Sequence, residues 1–433
     1  MDIKLLLIIS LVLASTLSQE RPEGKRLIKS KLNESAQWMD DEEINKFIRN
    51  AWNPGFIDLT VEGEDTFHPD DLEEGIHLKS ESYPTSPLHQ SSVLSLFPFL
   101  EADRELIKAF VRKFASYHSR NSREYYGEME AEGWLSFMLT STLSGFKGGY
   151  SISQIGDSTL GTSMKVWPYK QKNIIVKLEG QDPTLKSELI ILGAHYDTQN
   201  KKDELFYIKE KAPGADDNAA ACGILVEVLK LVTESGMELK RGVEFHFYAA
   251  KESGLEGSQD VVRKYKEKKK KVKAVLTLDM IGYRRTFPSS IPIGVVGGDK
   301  EVTPGLTAFV KILKEEYLLK ENEMKEVDCS VGCFSDNYSW HRAGYPVAFL
   351  RAFEKKYDGH SQMDFIQGVY GRENQDLNFD QVHEYAKLAL AFVIELGEPC
   401  DGCSSLGVNF NPGWLQVTSS FIGMYYIMSY LLL

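Results

Sequence analysis

Histidines and carboxylates recur in this chain at places where an α/β protein keeps its chemistry. The run LIILGA at 189–194 has the length of a buried strand and delivers His195 and Asp197 at its C-terminal end, the rim of an open sheet where ligands bind. Alternate strand residues share a face, so the two side chains point the same way. An imidazole beside a carboxylate suits a divalent metal, because the carboxylate fixes the tautomer of the ligating ring. Pro213 and Gly214 then turn the chain, and Asp216, Asp217 and Asn218 stand where a helix carrying apolar Ile224, Leu225, Val228 and Leu229 begins. Acidic groups at a helix start are also common caps, so this group alone decides nothing. The strand RGVEFHFYAA at 241–250 ends in Lys251 and Glu252, the strand KAVLTLDMIG at 273–282 carries Asp279 near its end, and a later loop carries His360 in YDGHSQMD. His195, Asp217, Glu252, Asp279 and His360 thus fall at strand ends or in the loops that follow. Two imidazoles and three carboxylates can hold two zinc ions, one carboxylate bridging.

The elements that must position these residues are legible from apolar periodicity. Strands near Asn173, Glu188, Gly242, Lys273 and Ile291 alternate with helices near Asn218, Gly257 and Pro304. That alternation predicts an α/β fold, a three-layer αβα sandwich with a mixed, mainly parallel central sheet covered on both faces. LIKAFVRKFASYH and EAEGWLSFMLTSTL, between 100 and 143, read as two helices, and a last helix over Phe379–Leu396 places Tyr385, Leu388, Ala389 and Val393 on its core side. The lysine run EKKKKVK closes a helix before the strand bearing Asp279 and reads as a solvated helix end favoured by the macrodipole.

The motifs HYD, PGADDNA, YAAKESGLEGSQ, LTLDM, CSVGCFSDNYSWHRAGYP and GHSQMD agree in type, order and approximate spacing with one family. From near Leu106 to Gly397, about three hundred residues, the chain resembles the secreted dizinc aminopeptidases, the family of bacterial leucyl aminopeptidases (metallopeptidase family 28). The resemblance implies an exopeptidase acting on peptides with free N-termini. It implies one metal held by His195 and Asp279, the other by Glu252 and His360, Asp217 bridging, and Asp197 as the carboxylate behind His195. It also implies a Cys329–Cys333 disulfide shaping a pocket wall, where Met280, Phe349, Phe353 and Tyr357 are candidates to receive an apolar N-terminal side chain.

One position departs from the family pattern. Where the family has two adjacent glutamates, the first taking a proton from water and the second ligating metal, this chain has Lys251 and Glu252. A protonated lysine cannot accept a proton. General acid–base groups contribute about 100-fold to 10,000-fold in rate, so a weak or silent peptidase with an intact metal cage is expected. Glu256, the nearest substitute carboxylate, reads as a solvated turn residue. Three functions follow: a zinc exopeptidase; a pseudopeptidase that binds zinc and peptide termini; and a single-zinc amidotransferase or cyclase of related fold, disfavoured because all five dinuclear ligands are present.

The 433 residues, 42% hydrophobic and 26% charged, suit a globular protein, and a formal net charge of -12 argues against nucleic acid as the main partner. Residues 1–18 have the shape of a secretory signal, which places the mature chain in an oxidising compartment, secreted or at the cell surface. Residues 19–98 are acidic and propeptide-like, 99–398 form the peptidase domain, and 399–433 form a polar spacer with a flush apolar tail that fits a lipid-anchor signal and so a membrane attachment. A monomer is expected. Of five cysteines, Cys222 reads as a buried thiol, and Cys400 with Cys403 as a disulfide rather than a zinc half-site.

Overall fold

A computed structural model describes residues 22–48, 55–60, 82–123, 125–156, 171–200, 211–282, 293–298, 302–327, 333–352 and 377–400. Near the N-terminus, β1 (Arg26–Lys29), β2 (Gln37–Met39) and β3 (Ile57–Asp58) form a small antiparallel sheet in the order β2-β1-β3, with α1 (Asp41–Ile48) beside it. Helices α2 (Gln90–Ala102), α3 (Arg104–Phe114) and α4 (Tyr125–Thr142) follow. The main sheet is built from β4 (Tyr150–Ile155), β5 (Asn173–Leu178), β6 (Glu188–His195), β7 (Gly242–Tyr248), β8 (Lys271–Leu278), β9 (Ile293–Val296), β10 (Met324–Val327) and β11 (Val347–Leu350). Helices α5 (Ala220–Glu234), α6 (Glu256–Glu267), α7 (Pro304–Tyr317), α8 (Asp336–Arg342) and α9 (Phe379–Gly397) complete it. The strand order is β10-β9-β11-β8-β6-β7-β5-β4.

This is the expected α/β sandwich with a mixed sheet. Parallel pairing holds the centre, β6 with both β7 and β8 and β8 with β11, while antiparallel pairing brings in β5 and β4 at one side and joins β11 to β9 at the other. The apolar run of β6 is continuous because both its faces are covered. Ile190, Leu192 and Ala194 pack into a core with α2, α3, α4, α5, α7 and α9, whereas Leu189 and Ile191 pack with Val261, Val262 and Tyr265 of α6 and Trp340 of α8. Each such side chain buried stabilises the fold by roughly 1.5–3 kcal/mol.

Because β6, β7, β8 and β11 run parallel and adjacent, their C-terminal ends lie along one rim. His195 is level with Tyr248, and Leu278 with Leu350. Any polar residue just past these ends is therefore brought close to the others, whatever its separation in sequence.

Two sequence expectations change here. Glu256 is not a solvated turn residue: it opens α6 and accepts from Arg26 Nη2 at 2.9 Å and Arg123 Nη2 at 2.5 Å. It is covered because the N-terminal sheet docks on this loop, with Asp58 N–H donating to the Gly254 carbonyl and Ile57 and Leu59 packing on Leu255, Phe334 and Tyr338. Sequence composition around 19–98 shows little regular alternation, yet residues within 22–48 and 55–60 supply this sheet. Helix α2 crosses the expected boundary at 98 and buries Val93, Leu96 and Leu100 in the main core. No described helix is long and apolar enough to cross a membrane; the signal-like segment 1–18 and the tail beyond 400 lie outside the described residues.

Candidate metal centre

His195, the last residue of β6, is fully buried. Its Nδ1 faces Asp197, 3.2 Å from the carbonyl oxygen and 3.3 Å from Oδ1. Those acceptors fix the ring so that Nε2 is the nitrogen a cation would meet. Burial and the Lys251 charge pull the imidazole's pKa down, but Asp279, Asp197 and Asp217 outweigh them and hold it well above the usual histidine range, so a cation at Nε2 takes the place of a proton. Nε2 looks toward Asp217 Oδ1 at 3.0 Å and Asp279 Oδ1 at 3.4 Å. One donor atom from each of His195, Asp217 and Asp279 lies within 4.8 Å of the others, all three residues buried. One nitrogen and two carboxylate oxygens around one point fit the donor preferences of zinc.

Each ligand is held from behind. Asp217 sits in a turn over Ala215–Ala219 between the Pro213–Gly214 bend and α5, with φ/ψ of −111°/81°, so it is presented by irregular backbone and does not cap the helix. Asn218 Nδ2 donates to the Leu278 carbonyl at 2.9 Å, and Gly282 N–H donates to Asp216 Oδ1 at 2.7 Å, tying this turn to the end of β8. Gly214, at φ 54°, turns tightly enough that a Cβ there would lie 2.3 Å from the Asp217 carbonyl oxygen. Asp279 Oδ2 accepts from Ser335 Oγ at 2.7 Å. Asp197 also accepts from the backbone N–H groups of Lys251 and Glu252, at 3.0 Å each, so one carboxylate orients the imidazole and fixes the chain past β7. Beneath, the free thiol of Cys222 donates to the His195 carbonyl at 3.2 Å, and burial pushes its pKa up to about 12.

Lys251 stands inside the cluster. Its Nζ is 2.9 Å from Glu252 Oε1, 3.4 Å from Asp217 Oδ1 and 3.4 Å from Asp279 Oδ2. Burial pulls the amine's pKa down, but Asp217, Asp279 and Glu252 outweigh it and hold the group well above the usual lysine range. Burial raises the Glu252 carboxyl to about 6 against the pull of Lys251. Asp336, behind His195, is raised to about 7 by desolvation.

Of the residues singled out from sequence, His195, Asp197, Asp217, Lys251, Glu252 and Asp279 come together. His360, Cys329, Phe353 and Tyr357 lie outside the described residues. Met280 is next to Asp279, with its sulfur 3.5 Å from Arg351 Nη2. Phe349 is wholly buried, packed among Val296, Val302, Val327 and Cys333. Cys333 and Cys400 are disulfide-bonded; their expected partners, Cys329 and Cys403, are outside the described residues. Sequence reasoning assigned no role to Ser335 or Arg120. Ser335 had a signal, its place in the SDNYSW motif. Arg120 had none: it is a buried guanidinium donating to the carbonyls of Tyr196, Pro213 and Gly214, stapling the end of β6 to the turn bearing Asp217.

Comparison with known proteins agrees with this geometry. The model of "Peptidase family M28" matches residues 173–382. A leucine aminopeptidase 1 from Phaeosphaeria nodorum is 30% identical over 372 residues, covering 83% of this chain and 86% of its own length. The chain belongs to peptidase family M28. A second relative in it, leucine aminopeptidase 1 of Pyrenophora tritici-repentis, is 29% identical and covers 83% of this chain and 85% of its own length. The M28 fold is matched in turn by the crystal structure of the Legionella pneumophila LapA aminopeptidase, with a TM-score of 0.68 at 20% identity, over 87% of this chain and 99% of that one.

Proposed function

We propose that this M28 peptidase is a zinc-dependent aminopeptidase that removes N-terminal residues, apolar ones preferred, from peptides, and that Lys251 makes it slow. The observation that carries the reading is the convergence of His195, Asp217 and Asp279 on one buried point; the relatives named leucine aminopeptidase support the reaction class. His195, Asp217 and Asp279, with Glu252 beside them and His360 expected from the sequence, are the residues that would hold two zinc ions. Zinc in such a set supplies Lewis acidity and lowers the pKa of water.

The chain's own residues supply the rest. Asp197 keeps His195 Nε2 turned inward, and Ser335 holds Asp279. At the place of the expected proton acceptor, the Lys251 ammonium donates to Glu252 and has no lone pair to offer, so proton removal from water is the step this site performs poorly. Secretion through 1–18 and attachment through the apolar tail, both read from the sequence, are parts of the same proposal, and a monomeric state is proposed with them.

Hydrolysis of leucyl amides by the natural protein and by Lys251→Glu, both loaded with zinc, tests it. The substitution should raise kcat by about 100-fold or more. Ordinary aminopeptidase turnover by the natural protein would show that Lys251 does not limit the reaction. No turnover by either would leave a binding protein for zinc and peptide termini.

A further inference from the structure

Metal-binding carboxylates normally repel one another until a cation arrives. Here a cation is built in. Asp217 offers the same oxygen, Oδ1, to His195 Nε2 and to Lys251 Nζ. Asp279 divides its two oxygens, Oδ1 toward His195 and Oδ2 toward Lys251. Glu252 spends Oε1 on Lys251 at 2.9 Å. The cluster therefore has two halves: an imidazole half, where Nε2 and two carboxylate oxygens face one point, and an ammonium half, where Lys251 Nζ already occupies the space between three carboxylates.

We infer that Lys251 is an internal counter-cation that competes with metal for Asp217, Asp279 and Glu252, so that the two ion positions have unequal affinity and the chain keeps one ion where free zinc is scarce. The inference rests on the metal-dependent reading above. An ion entering the imidazole half gains His195 and leaves the Lys251–Glu252 contact intact. One entering the Glu252 half must displace an ammonium from three carboxylates, and it then faces that ammonium across a few ångströms with the lysine stem still buried. Like charges at that separation weaken binding steeply. Removing the charge while keeping the stem's volume should restore the second position. It should also leave the metal-free carboxylates without their ammonium, making folding lean on zinc.

The experiment is a zinc titration of the metal-free full chain, natural and Lys251→Met, by competition with a chromophoric chelator, with zinc content and melting temperature measured on the same samples. The natural protein should bind one ion tightly and a second at least about tenfold more weakly. In Lys251→Met that gap should close by about tenfold or more, and saturating zinc should raise its melting temperature by more than it raises that of the natural protein. Two ions bound by the natural protein within about threefold of each other would overturn the inference, as would an unchanged gap in Lys251→Met, while the metal-dependent reading would stand. Absence of zinc from both proteins would overturn both. If Lys251→Met does not fold without metal, folding only as zinc is added supports the inference, and the natural protein's isotherm still decides it.

Discussion

Lys230 and Lys251 are both buried ammonium groups facing three carboxylates, but the carboxylates reach them by different routes. Around Lys230, Glu227 at 3.9 Å and Glu234 at 3.7 Å come from its own helix, one turn to either side, and Asp103 pairs with it from the start of α3. Around Lys251, Asp217, Glu252 and Asp279 come from three segments, past the ends of separate strands or in the turn before α5. The first cluster is helical periodicity with a charge added. The second requires the sheet, and it includes an imidazole whose Nε2 points inward. Burial and charge alone do not mark a site; a convergence of remote segments that includes a ligating nitrogen does.

The largest expected effect that would break this contrast is at Asp217. Asp217→Asn should lower zinc retention and leucyl-amide kcat/KM by about 1,000-fold or more, since it removes an oxygen that both halves use; elemental analysis after dialysis and steady-state rates check it. Lys230→Met should destabilise the fold by about 3–5 kcal/mol, because it strands buried carboxylates, yet leave zinc content unchanged. Denaturant melts paired with metal analysis measure both, and loss of zinc there would erase the distinction. Asp197→Asn lies between the two kinds: about a 10–100-fold loss of zinc affinity is expected from the looser imidazole, with a chelator competition as readout. The smallest effect is at Glu227, whose carboxyl burial raises from 4.5 to about 8. The folded protein therefore holds this proton where the unfolded chain has released it, and stability contributed by the group is lost as pH rises from about 4.5 through about 8. Glu227→Gln should be neutral near pH 5 and increasingly more stable than the natural protein as pH rises to 9, measured by urea melts at the two values.

Legibility of the sequence followed range of interaction. β6, β7, β8 and α9 could be read because apolar runs and helical spacing are local, and His195, Glu252 and Asp279 could be ranked as ligands because strand ends are local features too. The N-terminal sheet could not be read. β1, β2 and β3 have four, three and two residues, too short for a periodic signal, and they are held by contacts with Gly254, Leu255 and Glu256 some 200 residues away. Glu256 was misread for the same reason: nothing within ten residues reveals Arg26 or Arg123.

By itself the sequence determined which side chains could ligate metal, that a lysine stands where a proton acceptor is expected, and that strands and helices alternate, because residue type and periodicity belong to the chain. Tertiary structure alone decided that the Lys251 ammonium lies between Asp217, Asp279 and Glu252, that Asp197 serves an imidazole and two backbone N–H groups at once, and that Phe349 is wholly buried. Those outcomes depend on which strand ends become neighbours, and strand order is set by packing both faces of the sheet, a property of no single segment.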